Sequence, residues 1–268
     1  MRQISSDDLN RLRDTTFVRQ IQYFAELEST NTRAIELARG GRLETPLLVL
    51  TERQTAGRGQ RVRRWWSAPG ALTFSLVLDN NPPADCSPPP ISLVTALAVA
   101  AALCELVPDS AIGLKWPNDV LLDERKVCGI LVESAQCDDG QSRHVIGIGV
   151  NVANCSVDAP AELRDSMISL AERAETSFEL ARVLETILQQ LAKKQQQVAE
   201  GALDLSVEWN RRCALTGKTA HIESSAMNLA GICRGIDPIG RLLIADGGEI
   251  HRLASGTVTK VEPAAETG

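Results

Sequence analysis

Between Thr51 and Gly70 the chain reads TERQTAGRGQRVRRWWSAPG, which sets Gly57, Gly59 and Gly70 among Arg53, Arg58, Arg61, Arg63 and Arg64, with Trp65 and Trp66 close behind. Guanidinium forks donate paired hydrogen bonds and glycines let backbone N–H groups turn inward, so such a loop suits a phosphate or a carboxylate. It matches neither the Walker A nor the GxGxxG pattern, and composition alone fits a solvated basic loop pinned by its tryptophans equally well. Lys115, Trp116, Pro117, Asn118 and Asp119 crowd a cation, an amide and a carboxylate around a proline that blocks helix continuation. That cluster suits either a triphosphate with its magnesium ion or an ordinary turn. Lys126 heads the apolar run Val127 to Val132, where a purely structural lysine would instead face water.

Strands that end at these groups are needed to position them. The apolar run Leu47 to Leu50 empties into the Gly-Arg loop, as a buried strand does. Before it, the alternating Ile21, Tyr23, Ala25 and Leu27 predict a strand after a polar N-terminal segment. Glu28, Ser29, Thr30 and Asn31 then precede Ala34, Ile35, Leu37 and Ala38 at helical spacing, up to Gly40 and Gly41. Ser29 or Thr30 is therefore expected as an N-cap, a reading compatible with a polar ligand at the same helix end.

Beyond the loop the pattern predicts a strand over 72–78, a Pro-rich loop over 80–90, an Ala-rich core helix over 91–107 and a strand over 112–115. Two more strands, 126–132 and 145–152, carry Gly129, Gly147 and Gly149, which leave room for a flat ligand or for close strand packing. Residues 153–168, with Pro160, read as a flexible loop. Leu180, Val183, Leu184, Ile187, Leu188 and Leu191 form a core-facing helical stripe, and a second helix is expected around 203–212. From Gly217 onward, short alternating runs broken by Gly231, Gly235, Gly240, Gly247 and Gly248 have the texture of a small β-barrel. The boundary falls near residue 213, between a mixed α/β part and an all-β part.

Composition limits the partners. A length of 268 residues with 44% hydrophobic content supports a sizeable core, and a net charge of −6 argues against a general affinity for nucleic acid. The seven cysteines form no CxxC pair and show no ligand spacing with His144, His221 or His251, so free thiols in a reducing cytoplasm are expected. The stretch from Val94 to Val107 is too short and too interrupted to span a bilayer, and the N-terminus has no apolar core of a secretory signal.

Taken together, ESTN at 28–31, GRG at 57–59 with Arg63 and Trp65, KWPND at 115–119, KVCGILVE at 126–133 and GIGVN at 147–151 resemble the biotin protein ligase family in order and approximate spacing. The segment RGIDPIGRLLI is similar to that family's small C-terminal domain. The resemblance implies an α/β fold over 1–212, a mixed sheet with helices of the class II aminoacyl-tRNA synthetase-like kind, and an SH3-like β-barrel over 213–268. It implies a two-step reaction. Biotin and ATP give biotinyl-5′-AMP with Mg2+, and the biotinyl group then passes to a lysine of a biotin carboxyl carrier protein.

By the same resemblance Lys126, Arg58 and Lys115 carry the chemistry. Biotin is expected at Ser29, Thr30, Asn31, Gln54, Gly57, Arg58, Gly59, Gln60, Lys126, Gly129, Leu131 and Gly147. ATP is expected at Arg61, Arg63, Trp65, Lys115, Asn118 and Asn151, with Asp119 on magnesium and the 153–168 loop over adenine. Two positions depart from the family pattern, which often has arginine at Gln60 and glycine at Val62. Arg61 or Arg63 is expected to compensate for the arginine. A lipoate or octanoate ligase or transferase is the alternative enzyme. A biotin-responsive repressor is the alternative of another class, disfavoured because the segment before Glu28 is too small for a winged helix-turn-helix module. A homodimer is left open.

Overall fold

The computed structural model describes residues 3–40, 43–61, 63–80, 90–138, 140–224 and 228–263. Its first unit is one seven-stranded sheet of β1 (Gln20–Leu27), β2 (Leu47–Gln54), β3 (Ala71–Asp79), β4 (Ile112–Lys115), β5 (Asp119–Leu122), β6 (Arg125–Gln136) and β7 (Ser142–Asn151). The order across it is β1-β2-β3-β7-β6-β5-β4. β1 and β2 run parallel and the other neighbours antiparallel, so the sheet is mixed.

Successive side chains on a strand face opposite ways, and this alternation divides the sheet into two surfaces. The back carries Leu72, Phe74 and Leu76 of β3 and Ile146, Ile148 and Val150 of β7, all in one large apolar cluster with α3 (Ile91–Leu106) and α6 (Leu180–Ala199). α3 is apolar all round, which suits a helix buried on every side. α2 (Thr30–Arg39) covers part of the front, packing Ala34 and Ala38 on Leu47, Val49, Val77 and Val145. The strand ends beyond α2 are where the site forms.

Three expectations needed correction. The polar N-terminal segment contains a helix, α1 (Ser6–Thr15), started by a reciprocal capping box between Ser5 and Asp8 and anchored by buried Leu12. The Pro-Asn-Asp segment is a turn only up to Asn118, because Asp119 opens β5, which pairs with β4 and β6. The 153–168 segment holds a 3-10 turn, Ser156–Asp158, and the short α4 (Ala161–Arg164). Most of the expected Pro-rich loop, with Cys86, and the Val62 departure lie outside the described residues.

After α5 (Leu170–Ala174), α6 and α7 (Leu205–Asn210) come β8 (Thr219–Glu223), β9 (Asn228–Ile236), β10 (Leu242–Asp246), β11 (Glu249–Leu253) and β12 (Thr257–Glu262). They form a five-stranded antiparallel sheet in the order β11-β10-β9-β8-β12. Ile222, Ile236, Leu242 and Val258 of this small β unit belong to the same apolar cluster as α3. Polar contacts reinforce the junction. Trp116 Nε1 donates to Gly240 O at 3.2 Å, Asn210 Nδ2 donates to Ile236 O at 3.0 Å, and Leu114 and Cys213 form a β-bridge.

Candidate active site

The register of β3, β7 and β6 lays three rows across the front: Thr73–Gly149–Gly129, Ser75–Gly147–Leu131 and Val77–Val145–Glu133. Glycine in two rows removes side chains and sinks a floor into the sheet. A Cβ on Gly147 would lie 2.1 Å from Asn31 Oδ1, and one on Gly149 would lie 2.3 Å from the Trp65 ring. Above this floor stands a cavity of about 720 Å3, a volume suited to a small-molecule site.

One wall is the start of α2. Ser29 holds the N-cap position, but no side-chain capping bond forms among the described residues. Gln54 at the end of β2 does that work instead, its Oε1 accepting the Thr30 N–H at 2.8 Å. Asn31 is buried over Gly147, its Nδ2 donating to Leu131 O at 3.2 Å and its Oδ1 accepting from Ser75 Oγ at 2.6 Å.

The Gly-Arg loop makes the opposite wall by folding back on itself. Gly59 N–H donates to Arg63 O at 2.9 Å and Trp65 N–H to Gly57 O at 3.0 Å. A Cβ on Gly57 would lie 2.5 Å from Trp65 O, so the fold-back requires glycine there. Trp65 is thereby laid against Gly129 and Gly149, with its buried Nε1–H lacking an acceptor among the described residues. A buried indole donor with no protein acceptor offers a bond to a polar group in the cavity.

The cations enter from β4, β6 and the loop. Lys126 Nζ sits 2.6 Å from Asp119 Oδ1 and 5.9 Å from the centre of the Trp65 ring. The Lys126 main chain is held on both sides, its N–H donating to Ser166 O at 2.7 Å and its carbonyl accepting Ile168 N–H at 3.1 Å. The 153–168 segment is thus tied directly to the lysine. Burial lowers the pKa of Lys115, Asp119 partly restores it, and the charges of Lys126 and Arg63 lower it further. These cations raise one another's cost, and a bound anion would relieve it.

The cavity brings together Ser29, Thr30, Asn31, Gln54, Arg58, Gly59, Gln60, Arg63, Trp65, Lys115, Asn118, Asp119, Lys126, Gly129, Leu131 and Gly147. Three expected residues do not line it. Gly57 shapes the loop, Arg61 faces a neighbouring hollow in a left-handed conformation (φ 56°), and Asn151 donates to Lys126 O at 3.3 Å. Asp119, expected on magnesium, is paired with Lys126, and no three His, Cys, Asp or Glu side chains converge to hold a metal among the described residues. Leu163 and Ser166 come from the 153–168 segment expected at the nucleotide, whereas sequence reasoning missed Thr73 and Thr259 on the walls. For Thr73 the period-two alternation was an available signal; for Thr259, which arrives from the small β unit, there was none.

Comparison with known proteins identifies the family. The profile of the Biotin/lipoate A/B protein ligase family matches residues 23–152. A biotin–[acetyl-CoA-carboxylase] ligase of Paracoccus denitrificans is 34% identical over 224 residues, which cover 82% of this chain and 92% of that protein. The chain belongs to the biotin protein ligase family. Another relative, the bifunctional ligase/repressor of Bacillus subtilis, is 31% identical over 88% of this chain and 72% of its own length. The solved biotin protein ligase of Aquifex aeolicus in complex with biotin and ATP is similar with a TM-score of 0.77 and 25% identity, over 92% of this chain and 100% of that one. All five segments on which the biotin protein ligase resemblance rested contribute to the wall or floor of the one cavity.

Proposed function

We propose that the chain is an ATP-dependent biotin protein ligase whose cavity holds biotin and ATP side by side. In the first step a biotin carboxylate oxygen attacks the α-phosphorus of ATP, the bond to pyrophosphate breaks, and biotinyl-5′-AMP forms. In the second, the neutral ε-amine of a carrier lysine attacks the acyl carbon, AMP leaves with the bonding electrons, and the nitrogen gives up one proton to solvent as the amide forms. The carrying observation is that Arg58, Arg63, Lys115 and Lys126 converge on one glycine-floored cavity. Two anions repel each other before they react, and fixed cations lower that barrier by holding both.

In this reading Lys126 moves from Asp119 to the space between carboxylate and α-phosphate. Arg58 takes the carboxylate, Arg63 and Lys115 address the phosphates, and Trp65 packs beside the nucleotide. Asn118 and Asn151 act through the backbone, because Asn118 donates to Ile130 O at 2.6 Å and Asn151 to Lys126 O at 3.3 Å. Arg63 lines the cavity beside Gln60, so it is the side chain that substitutes for the family's arginine. Magnesium, when bound, would supply charge neutralisation on the triphosphate, and Asp119 of the KWPND segment would be the carboxylate to hold it.

The acceptor is a biotin carboxyl carrier protein of a carboxylase, and the division into 1–212 and 213–268 belongs to the same proposal. We place the reaction in the cytoplasm. The six described cysteines are free thiols, and no described helix is long and apolar enough to cross a membrane.

Incubation with ATP, magnesium, biotin and a carrier domain tests the reading. Carrier labelling and biotin-dependent ATP–pyrophosphate exchange are expected in the wild type, and Lys126→Ala should lower both by about a thousandfold. Absence of biotin-dependent exchange in the wild type overturns the function. Labelling of lysines on an unrelated protein would show that the adenylate escapes and that Arg63 does not substitute at Gln60.

A further inference from the structure

We propose that Glu133 is a positioning residue that aims Arg58 at the substrate carboxylate, an inference that rests on the ligase reading above. Glu133 closes the third cross-strand row, beside Val145 and Val77. A carboxylate among valines on a partly covered surface needs partners, and it has two of different kinds. Its Oε2 accepts from Asn31 Nδ2 at 2.9 Å, and its Oε1 from Arg58 Nη2 at 2.7 Å.

The Asn31 side is rigid. Asn31 is buried, bonded also to Leu131 O and Ser75, and seated where only a glycine at 147 leaves space. Glu133 Oε2 is therefore fixed to the frame of the sheet, which fixes Oε1 as an anchor for the loop. At the loop's base Ala56 N–H donates to Glu28 O at 2.9 Å, while the backbone bonds of its tip run within the loop itself, from Gly59 to Arg63, from Arg63 to Gln60 and from Trp65 to Gly57. Arg58 to Glu133 is a side-chain tie from that tip to the sheet, across 75 positions of sequence.

A guanidinium carries five N–H donors, and the bond to Glu133 uses one of them. The rest of the fork is held at the cavity wall, ready to bind a carboxylate. Without the anchor, Arg58 is one more mobile exposed side chain, and biotin must order it on binding. The loss then appears in the apparent affinity for biotin, while ATP affinity and the chemical step are spared.

Biotin-dependent ATP–pyrophosphate exchange by wild type, Glu133→Gln, Arg58→Ala and the double variant tests this. Glu133→Gln should raise the KM for biotin about tenfold, the worth of one charge-assisted bond. Its kcat and ATP KM should stay within about twofold of wild type. Adding Glu133→Gln to Arg58→Ala should raise the biotin KM no further, because the glutamate acts through the arginine. A biotin KM that is unchanged or lower in Glu133→Gln overturns the inference, as do single-variant effects that multiply in the double variant. With an active wild type those results leave the ligase reading intact, whereas an inactive wild type removes both.

Discussion

Along β3, Leu72, Phe74 and Leu76 face back into the large apolar cluster, while Thr73 and Ser75 between them face forward, lining the cavity and bracing Asn31. β7 repeats the division, with Ile146, Ile148 and Val150 behind and Gly147 and Gly149 in front. One set of strands thus serves two unlike surfaces. The back works by filling space, and any apolar group of the right volume satisfies it to first order. The front works by leaving space and lining it with directional bonds, so its residues are chosen atom by atom. Damage to the two faces should therefore be read by different measurements.

The largest effect is expected on the back. Phe74 is fully buried, and Phe74→Ala should cost about 3–5 kcal/mol of stability, read as a lower urea midpoint at unchanged slope. The biotin KM of the fraction that remains folded should stay within about twofold, because the lost ring faces away from the site. A large KM change would mean that the faces are not independent.

On the front, Gly147→Ala adds a single methyl group. Its Cβ would lie 2.1 Å from Asn31 Oδ1, and Asn31 cannot retreat without breaking its bonds to Ser75, Leu131 and Glu133. The expected result is a fall of about a hundredfold in kcat/KM for biotin, equivalent to about 2.7 kcal/mol. Stability should fall less than in Phe74→Ala, within the 1–3 kcal/mol range of an overpacked site, about. If Gly147→Ala instead loses mainly stability, the front is ordinary packing and the comparison fails.

Much of this division was legible in the sequence, and the exceptions share a cause. Gly147 and Gly149 at a spacing of two, within an apolar run, marked one face of a strand as open. The ESTN, GRG and KWPND segments marked which loops meet it. α1 was missed because buried Leu12 and partly buried Leu9 are its main apolar contacts, too few to make a stripe, although Ser5 and Asp8 spelled a capping box. Asp119 sits in a segment whose residue types suit either a magnesium-bearing cluster or a turn, whereas the structure assigns it to a strand and to Lys126. The Arg58–Glu133 pair joins residues 75 apart, and no local pattern encodes a contact of that span. Periodicity reports which way a side chain faces; its partner depends on the register of distant strands.

The smallest effect near neutral pH should come from Lys115, where the front pays an electrostatic cost that the apolar back avoids. Burial lowers the pKa of this lysine, Asp119 raises it in part, and Lys126 and Arg63 lower it again. Between that lowered value and the ordinary 10.5, the unfolded chain binds a proton that the folded chain lacks, so this group's contribution to stability rises with pH across the window. Function runs the opposite way, since the cation that addresses phosphate is lost at a pH below the ordinary lysine value. Lys115→Arg keeps its charge throughout. Its KM for ATP should differ from wild type by about threefold or less near pH 7, while the alkaline rise in that KM moves to higher pH. An alkaline limb at the same pH in both proteins would mean that another group sets it, and that the half-buried charge of Lys115 is not what holds the nucleotide.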